Sequence, residues 1–391
     1  MNLIRFINSL SSTAILILFL YGCQKSANDL PIISPANLIE QGYSIDKITE
    51  SIEYIPLDSG KQLSNIENIK ANGDGYWIKT AQGLFRYNKK GKYLNSIGRK
   101  GKGADEYIGI WDYEIDEIKN EVYILVHNKV KVYDYSGKYI RQFSTPDQTG
   151  FNSFKWFNNH LYYPYEYGFK PLKNLYASTN NNGKSVQQQI NGHEKEATFN
   201  VQYGHPQLIA SNKSLYYWNL LNDTIYSISD NIIKPAYLWS KDQFRVSSND
   251  LSSENNYRAK NSWQIIDFTA SNRFFFFQYI LLNKKKKVYT IFDRTLNKMQ
   301  LVSEKRFSDT SLHMNKLDNG PEFYPKYIWN EKNQSKALMW VNAFELKALI
   351  QDKAFDVNTS TKLKEKDRLK QLGSQLLDND NPVLMVINLK R

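Results

Sequence analysis

Two stretches of the sequence decide the fold: LFRYNKKGKYLNSI, residues 84–97, and VKVYDYSGKYIRQF, residues 130–143. Each has a run of β-forming residues, then a polar turn that ends on Gly-Lys, then a second run that starts at a tyrosine. The turn glycines, Gly91 and Gly137, are 46 residues apart. Glycine at this place in a hairpin supplies the positive φ that the turn needs. The sequence therefore predicts two copies of one hairpin.

Two further strands are predicted between the copies. IWDYEID, residues 110–116, and NEVYILV, residues 120–126, are alternating or continuous apolar runs of strand length. One period of the repeat then contains four short strands. Four strands in roughly 40–50 residues is typical of a propeller blade.

Weaker copies follow later in the chain. Residues 215–240 read as strand, turn, strand, turn and strand, and residues 273–303 repeat this pattern around a lysine-rich turn, Lys284 to Lys287. The four phenylalanines at 274–277 are interpreted as a central strand packed on both faces, with a membrane contact as the less favoured alternative. The repeats predict an all-β propeller.

The glycine-rich stretch SIGRKGKGADEY, residues 96–107, raises the alternative of a phosphate-binding loop. Such a loop needs a helix behind it, so that backbone N–H groups and the helix dipole converge on the anion. A predicted strand follows instead, and no Lys-Ser or Lys-Thr pair completes the motif. We interpret the stretch as the connection between two blades.

The N-terminus predicts export. A short basic start and an apolar run, residues 14–22, are typical of a signal peptide, and the run is shorter than the ~20 residues of a transmembrane helix. Residues 20–23, LYGC, resemble a bacterial lipobox, which implies cleavage before Cys23 and lipid attachment to it. Gln24 then favours the outer membrane. The predicted organisation is a signal peptide, 1–22, a tether, 23–44, and one propeller domain, 45–391.

The repeat residues carry a family resemblance. IGRKGKGADEYIGIWDYEID, with the strands that follow it, resembles an NHL-type blade and is similar to the six-bladed β-propeller lipoproteins of Bacteroidetes-type bacteria. The likeness implies six four-stranded antiparallel blades. It also implies that the strand IEYIPL, near the start, pairs with PVLMVINL, near the end, to close the ring in the last blade. Residues 342–377 between them have helical composition and spacing, and predict short helical insertions.

Composition and charge limit the classes of partner that the protein is expected to bind. The formal charge is +12, but the lysines and arginines are scattered in turn-like contexts, which favours a solvated surface. Together with the predicted export, this excludes nucleic acid as an expected partner. Expected partners are the membrane, through lipid on Cys23, and a glycan, a peptide or an envelope protein.

No catalytic motif is found in the sequence. The five histidines have no zinc-ligand spacing, there is no G-x-S-x-G motif, and the single cysteine is assigned to lipid. We predict a non-catalytic binding module without cofactor or metal. The alternative is a metal-dependent enzyme of the lactonase, lyase or hydrolase type, whose ligands would come from several blades around the central channel.

Two groups of residues are candidates for ligand binding. The first is the charged interblade loop, and the second is the tyrosine-rich stretch HLYYPYEYGF, residues 160–169, because aromatic faces can stack on sugars. For both, the alternative is a structural role, as turn glycines with solvated charges or as buried strand tyrosines. The candidates are Arg99, Lys100, Lys102, Asp105, Glu106, Tyr107, Tyr163, Tyr165 and Tyr167.

Overall fold

The computed structural model describes most of the chain after the predicted signal peptide. The residues described are 30–34, 45–147, 150–166, 173–190, 206–211, 214–219, 223–230, 232–240, 263–281, 284–306 and 312–391.

The described residues form six β-sheets, and each sheet is one blade of a propeller. A blade has four antiparallel strands, which confirms the predicted fold class. Blade I contains β3 (Ile66–Asn72), β4 (Gly75–Thr80), β5 (Gly83–Asn88) and β6 (Tyr93–Ser96). Blade II contains β7 (Asp112–Asp116), β8 (Glu121–Val126), β9 (Lys129–Asp134) and β10 (Tyr139–Ser144).

Blades III to V continue this order. Blade III contains β11 (Lys155–Phe157), β12 (His160–Pro164), β13 (Asn174–Asn180) and β14 (Ser185–Ile190). Blade IV contains β15 (Gln207–Ala210), β16 (Leu215–Trp218), β17 (Thr224–Ser229) and β18 (Ile232–Trp239). Blade V contains β19 (Trp263–Ala270), β20 (Phe274–Leu281), β21 (Lys286–Asp293) and β22 (Lys298–Arg306).

Blade VI closes the ring. It contains β23 (Tyr327–Glu331), β24 (Gln334–Val341), β25 (Val383–Leu389) and, as its outermost strand, β2 (Thr49–Pro56) from the beginning of the propeller. Strands β2 and β25 are antiparallel, with Ile52 opposite Ile387. The predicted pairing of the two terminal strands is confirmed, and β2 covers the edge of β25 that would otherwise be open.

The first strand of each blade lies at the centre of the ring. These inner strands contact one another around the axis, for example β23 with β3 and β11 with β15. Because each blade is antiparallel, the connections between blades and those between second and third strands lie at one end of the channel. We call this end the loop face. The short turns between first and second and between third and fourth strands form the opposite end, the turn face.

Apolar and aromatic side chains pack between neighbouring blades. All eight residues of β20 are buried, including the four phenylalanines Phe274 to Phe277, as expected for a central strand packed on both faces. Between blades I and II, Trp77, Tyr113 and Tyr133 are completely buried. The high aromatic content of the chain therefore fills the spaces between the sheets.

Three helices lie in the connection between β24 and β25, on the loop face. They are α1 (Ala343–Gln351), α2 (Lys353–Val357) and α3 (Leu363–Gln375), which confirms the helical insertions predicted near residues 342–377. Leu346, Phe355 and Leu369 bury their apolar faces in one cluster against blade VI. Among the described residues, no helix is both long and apolar enough to span a bilayer.

A fifth strand lies on the edge of blade IV. Strand β1 (Ile32–Ile33) belongs to the segment predicted as a tether, and it pairs in parallel with β18.

Candidate functional site

The central channel contains a cavity of about 250 Å³. It is lined by the inner strands of all six blades. Four of these strands contribute their first residues, Asp112, Lys155, Gln207 and Tyr327, which lie at the loop face, whereas β19 contributes its second half, Asp267 to Ala270. Each inner strand contributes at least one polar side chain: Lys70, Asp112, Lys155, Gln207, Thr269 and Tyr327. The ring geometry thus brings together polar groups that are far apart in sequence.

Lys70 is the most deeply buried charge of the channel, with 3% of its surface exposed. Its ammonium nitrogen lies 3.0 Å from Asp112 Oδ1 and 2.8 Å from Glu114 Oε1, and it also donates to the carbonyl oxygen of Tyr113. Burial alone lowers the pKa of Lys70, but the two carboxylates together raise it above its ordinary value. Lys70 therefore stays charged and ties blade I to blade II.

Glu114 connects this pair to a third blade. Its Oε1 atom also lies 2.9 Å from Lys155 Nζ, on the inner strand of blade III. The other carboxylate, Asp112, accepts a hydrogen bond from the amide of Phe154 at 3.2 Å. Two carboxylates and two lysines thus form one charge-balanced network across three blades.

A second charge pair lies on the other side of the channel. Lys326 Nζ is 3.4 Å from Asp267 Oδ2, and the two side chains are 41% and 37% exposed. Partial burial of the carboxyl group raises the pKa of Asp267, although the charge of Lys326 opposes the rise. This pair is separate from the Lys70 network and is more exposed to the channel than Lys70 and Glu114 are.

Tyr327 adds a hydroxyl group beside the carboxylates. Burial raises the pKa of Tyr327 well above its ordinary value, and the charges of Glu114, Glu117 and Asp112 raise it further. The phenol therefore remains protonated and can donate a hydrogen bond.

A small apolar pocket of about 30 Å³ adjoins the channel between blades V and VI. Asp267, Thr269 and Lys326 line both cavities. The remaining wall of the pocket is mainly apolar, with Phe276 and Phe323 among its residues. A ligand in the channel would therefore meet a polar surface with one apolar recess beside Asp267.

A metal-binding cluster was the feature required by the alternative enzyme hypothesis. Within the part of the chain that the structure describes, no group of three or more His, Cys, Asp or Glu side chains is arranged to hold a metal ion. The carboxylates Asp112 and Glu114 are instead paired with lysines.

The charged interblade loop connects β6 of blade I to β7 of blade II, as predicted. Like the other connections between blades, it lies on the loop face. Arg99 is 74% exposed, and its Nε is 2.6 Å from Glu106 Oε1. Glu106 Oε2 also accepts from the amide of Gly103 at 2.8 Å, so this carboxylate holds the loop together. The side chains of Lys100, Lys102 and Asp105 are exposed.

Tyr107 lies beneath this loop with 2% of its surface exposed. Its hydroxyl group donates to the carbonyl oxygen of Ile97 at 3.1 Å and accepts from the amide of Leu84 at 3.3 Å. Its ring makes an edge contact with Tyr133. Tyr107 therefore anchors the loop to the core and presents almost no surface to a ligand.

The tyrosine-rich stretch forms β12 of blade III and the residues after it. Tyr163 is completely buried, and its ring stacks on Phe154. Tyr165 is half-buried, and its hydroxyl group is 3.3 Å from Gln188 Nε2. Tyr167 and Cys23 lie outside the described residues.

The charged groups of the channel were not among the sequence-based candidates. Their signal was weak but present, because Lys70 interrupts a buried strand and Asp112 and Glu114 alternate with apolar residues in the next blade. Alternation alone places such residues on one face of a strand. Only the closed ring shows that these faces point at each other.

The fold and the channel define the class of the protein: a six-bladed β-propeller with a polar central cavity. The profile of a family described as a domain of unknown function, DUF4934, matches residues 30–388. Since this match covers most of the chain, the protein belongs to that family. No curated protein shows significant sequence similarity to the chain.

Solved structures with similar folds include a Bacteroides fragilis protein that was assigned as exported. It is 16% identical, the alignment covers 92% of this chain and 100% of that one, and the TM-score is 0.68. Virginiamycin B lyase from Staphylococcus aureus is 12% identical over 66% of this chain and 75% of that one, with a TM-score of 0.38. PorZ from Porphyromonas gingivalis is 8% identical over 71% and 30%, with a TM-score of 0.35. The first of these confirms the fold.

Proposed function

We propose that the protein is an exported, lipid-anchored β-propeller of the bacterial outer membrane that binds a polar ligand without transforming it. The ligand site is the loop-face end of the central channel, and the ligand is a glycan or a peptide, either free or part of an envelope protein. The signal sequence, Cys23 and the assignment of the Bacteroides fragilis protein as exported support the location.

The observation that carries the binding role is the channel itself. All six blades contribute side chains to one cavity, in which Lys155, Asp267, Lys326 and Tyr327 offer donors and acceptors from opposite walls. The lysines and carboxylates are paired before any ligand arrives. Such a preorganised, charge-balanced surface favours recognition of a polar ligand.

Binding is tested with glycan and peptide arrays, using the full chain without its signal peptide and with Cys23→Ser to keep it soluble. We expect Lys155→Met and Asp267→Asn each to weaken binding of the selected ligand at least tenfold, as measured by calorimetry. Lys89→Met is the control, because Lys89 lies on the turn face, 53% exposed. Absence of any ligand, or equal affinity in all variants, would overturn the proposal.

The rival metal-dependent enzyme is tested in the same preparation. We expect elemental analysis to find less than 0.1 equivalent of calcium or zinc per chain, and a stoichiometric metal ion would favour the rival.

The anchor is tested separately by labelling cells with a radioactive fatty acid. We expect label in the wild-type protein and none in Cys23→Ser.

A further inference from the structure

Strand β1 fixes the point at which the N-terminal segment reaches the propeller. Ile32 and Ile33 lie opposite Leu238 and Trp239 of β18. The amide of Leu238 donates to the carbonyl oxygen of Pro31 at 3.0 Å, and the amide of Ser240 donates to that of Ile33 at 2.9 Å. Ile33 is completely buried in the core cluster that contains blade IV. The segment is therefore part of the folded sheet at this point.

The length of chain before β1 limits how far the propeller can be from its anchor. Cys23 and Leu30 are seven residues apart, and seven extended residues reach at most about 25 Å. Opposite outer edges of the ring are separated by two four-stranded blades and the channel, on the order of 40 Å. The edge of blade IV is thus within reach of the bilayer, while blade I, three blades away, lies on the far side.

The direction of β1 adds a second constraint. Strand β18 runs from the turn face toward the loop face, because the blade-to-blade connection follows it. Since β1 is parallel to β18, the chain from Leu30 to Ile33 also runs toward the loop face. The anchored end therefore comes from the side of the turn face.

The surface of this edge suits a lipid headgroup layer. Ile32 of β1 and Ile232 of β18 are each 56% exposed, although they are large apolar side chains. Lys234 and Pro235 are exposed between them, close to Ile232 at the start of β18, while Ile32 lies opposite Leu238 near its end. Exposed isoleucines and a lysine along one sheet edge can enter the interface of an anionic bilayer, where both the apolar and the electrostatic contacts are favourable.

We infer that the outer edge of blade IV is the surface that lies against the membrane, with the loop face and the channel opening turned away from it. This inference rests on the lipid anchor of the proposed function. It assigns the bilayer as the partner of this edge, and it leaves the ligand site open to the space beyond the membrane.

Single cysteines test the inference, because the chain has no cysteine besides Cys23. Full-length protein, lipidated in a bacterial host, is reconstituted in vesicles of phosphatidylethanolamine and phosphatidylglycerol that contain a nitroxide-headgroup lipid. A fluorophore is attached at Ile232→Cys in blade IV or at Leu94→Cys in blade I. Both positions are exposed, apolar and near the turn-face end of an outermost strand. We expect at least twofold stronger quenching at position 232.

A matched pair of substitutions tests the role of β1. Ile33→Ser removes the buried side chain and should detach the strand, whereas Ile32→Ser changes the exposed neighbour. The blades are complete without β1, so both variants should fold. We expect Ile33→Ser to reduce quenching at position 232 to the level at position 94, and Ile32→Ser to retain most of it.

The outcomes separate the two proposals. Protein that does not float with the vesicles overturns the lipid anchor, and the inference falls with it. Protein that floats but shows equal quenching at positions 94 and 232, or stronger quenching at 94, overturns the orientation alone.

Discussion

Gly91 lies directly against the backbone of Pro56: a Cβ atom added to Gly91 would be 2.2 Å from the Pro56 carbonyl oxygen. Gly137 has the same relation to Ser96, with a distance of 2.1 Å. Ser96 ends the fourth strand of blade I, and Pro56 ends β2. Strand β2 therefore contacts blade I in the same way that β6 contacts blade II. Since β6 is the fourth strand of its blade, β2 has the position of the fourth strand of blade VI. The N-terminal strand thus completes blade VI.

Replacement of either turn glycine by alanine should destabilise the protein. The φ angles of Gly91 and Gly137 are +79° and +88°, which L-residues rarely adopt, and the added methyl group would collide with backbone. We expect Gly91→Ala and Gly137→Ala each to lower the free energy of unfolding by about 2 kcal/mol or more, measured by urea denaturation. Gly73→Ala, in a turn of blade I with no atom within 4 Å of the new Cβ, is the control. Equal stability of the three variants would contradict the prediction.

A third copy of the hairpin lies in blade III, and this copy was not recognised in the sequence. Gly183 follows Gly137 by another 46 residues and has a φ of +81°. Asn180 Oδ1 accepts from the amides of Asn182 and Lys184, both at 3.0 Å, as Asn88 does in blade I. The next strand, SVQQQI, is mostly polar because it lies at the outer edge of its blade. Apolar patterning therefore gave no signal there, although the turn chemistry did.

Sequence predicted the fold more fully than the site, for a physical reason. Strands and turns are local patterns, and the glycines at 91 and 137 mark two of the turns directly, whereas the number of blades and the closing pair were implied by the family resemblance. The channel is a property of the closed ring: Lys70 and Lys155 meet Glu114 only when three blades stand side by side. Tyr163 and Tyr107 show a second limit of sequence analysis. Composition cannot distinguish a tyrosine that stacks on a ligand from one that fills the core.

The buried lysine of the channel should be essential for stability. Lys70→Met would leave Asp112 without its lysine and Glu114 with Lys155 alone, and removing one member of a buried ion pair typically costs about 3–5 kcal/mol. We expect a loss of this size in the free energy of unfolding. Lys89→Met should cost less than about 1 kcal/mol, since that lysine is 53% exposed in its pair with Glu331.

A double variant checks that the cost arises from the unpaired charges. Glu114→Gln removes one of the two carboxylates that Lys70 neutralises, so Lys70→Met should be less harmful in that background. We expect the double variant to recover at least about 1 kcal/mol relative to simple additivity. Additive losses, or a Lys70→Met variant as stable as the wild type, would rule out the network described here.

Asp318 should make stability depend on pH. It is completely buried in the connection before blade VI, and its Oδ1 accepts from Asn315 Nδ2 and the amide of Gly320, both at 2.9 Å. Desolvation raises the pKa of Asp318 above its ordinary value of 3.8, although these hydrogen bonds oppose the rise. The folded state therefore holds the proton more tightly than the unfolded chain does. Its contribution is greatest below the ordinary pKa and is lost as pH rises through the raised pKa.

Asp318→Asn tests this dependence because it keeps the acceptor oxygen and removes the charge. We expect the variant to match the wild type near pH 3.5 and to become progressively more stable than it toward pH 7, in urea denaturation at matched pH values. A difference for Asp318→Asn that falls with rising pH would contradict the assigned sign.

The charged loop offers a last prediction, because it contains one buried and several exposed candidates. Tyr107 fills a core position between blades I and II and satisfies two backbone groups, so Tyr107→Ala should cost about 3–5 kcal/mol of unfolding free energy. Tyr107→Phe keeps the ring and loses the hydrogen bonds, which should cost about 1 kcal/mol. Arg99→Ala removes a side chain that is 74% exposed and should change stability by less than about 0.5 kcal/mol. If Arg99→Ala proved as destabilising as Tyr107→Ala, the loop would depend on its surface ion pair rather than on its buried tyrosine.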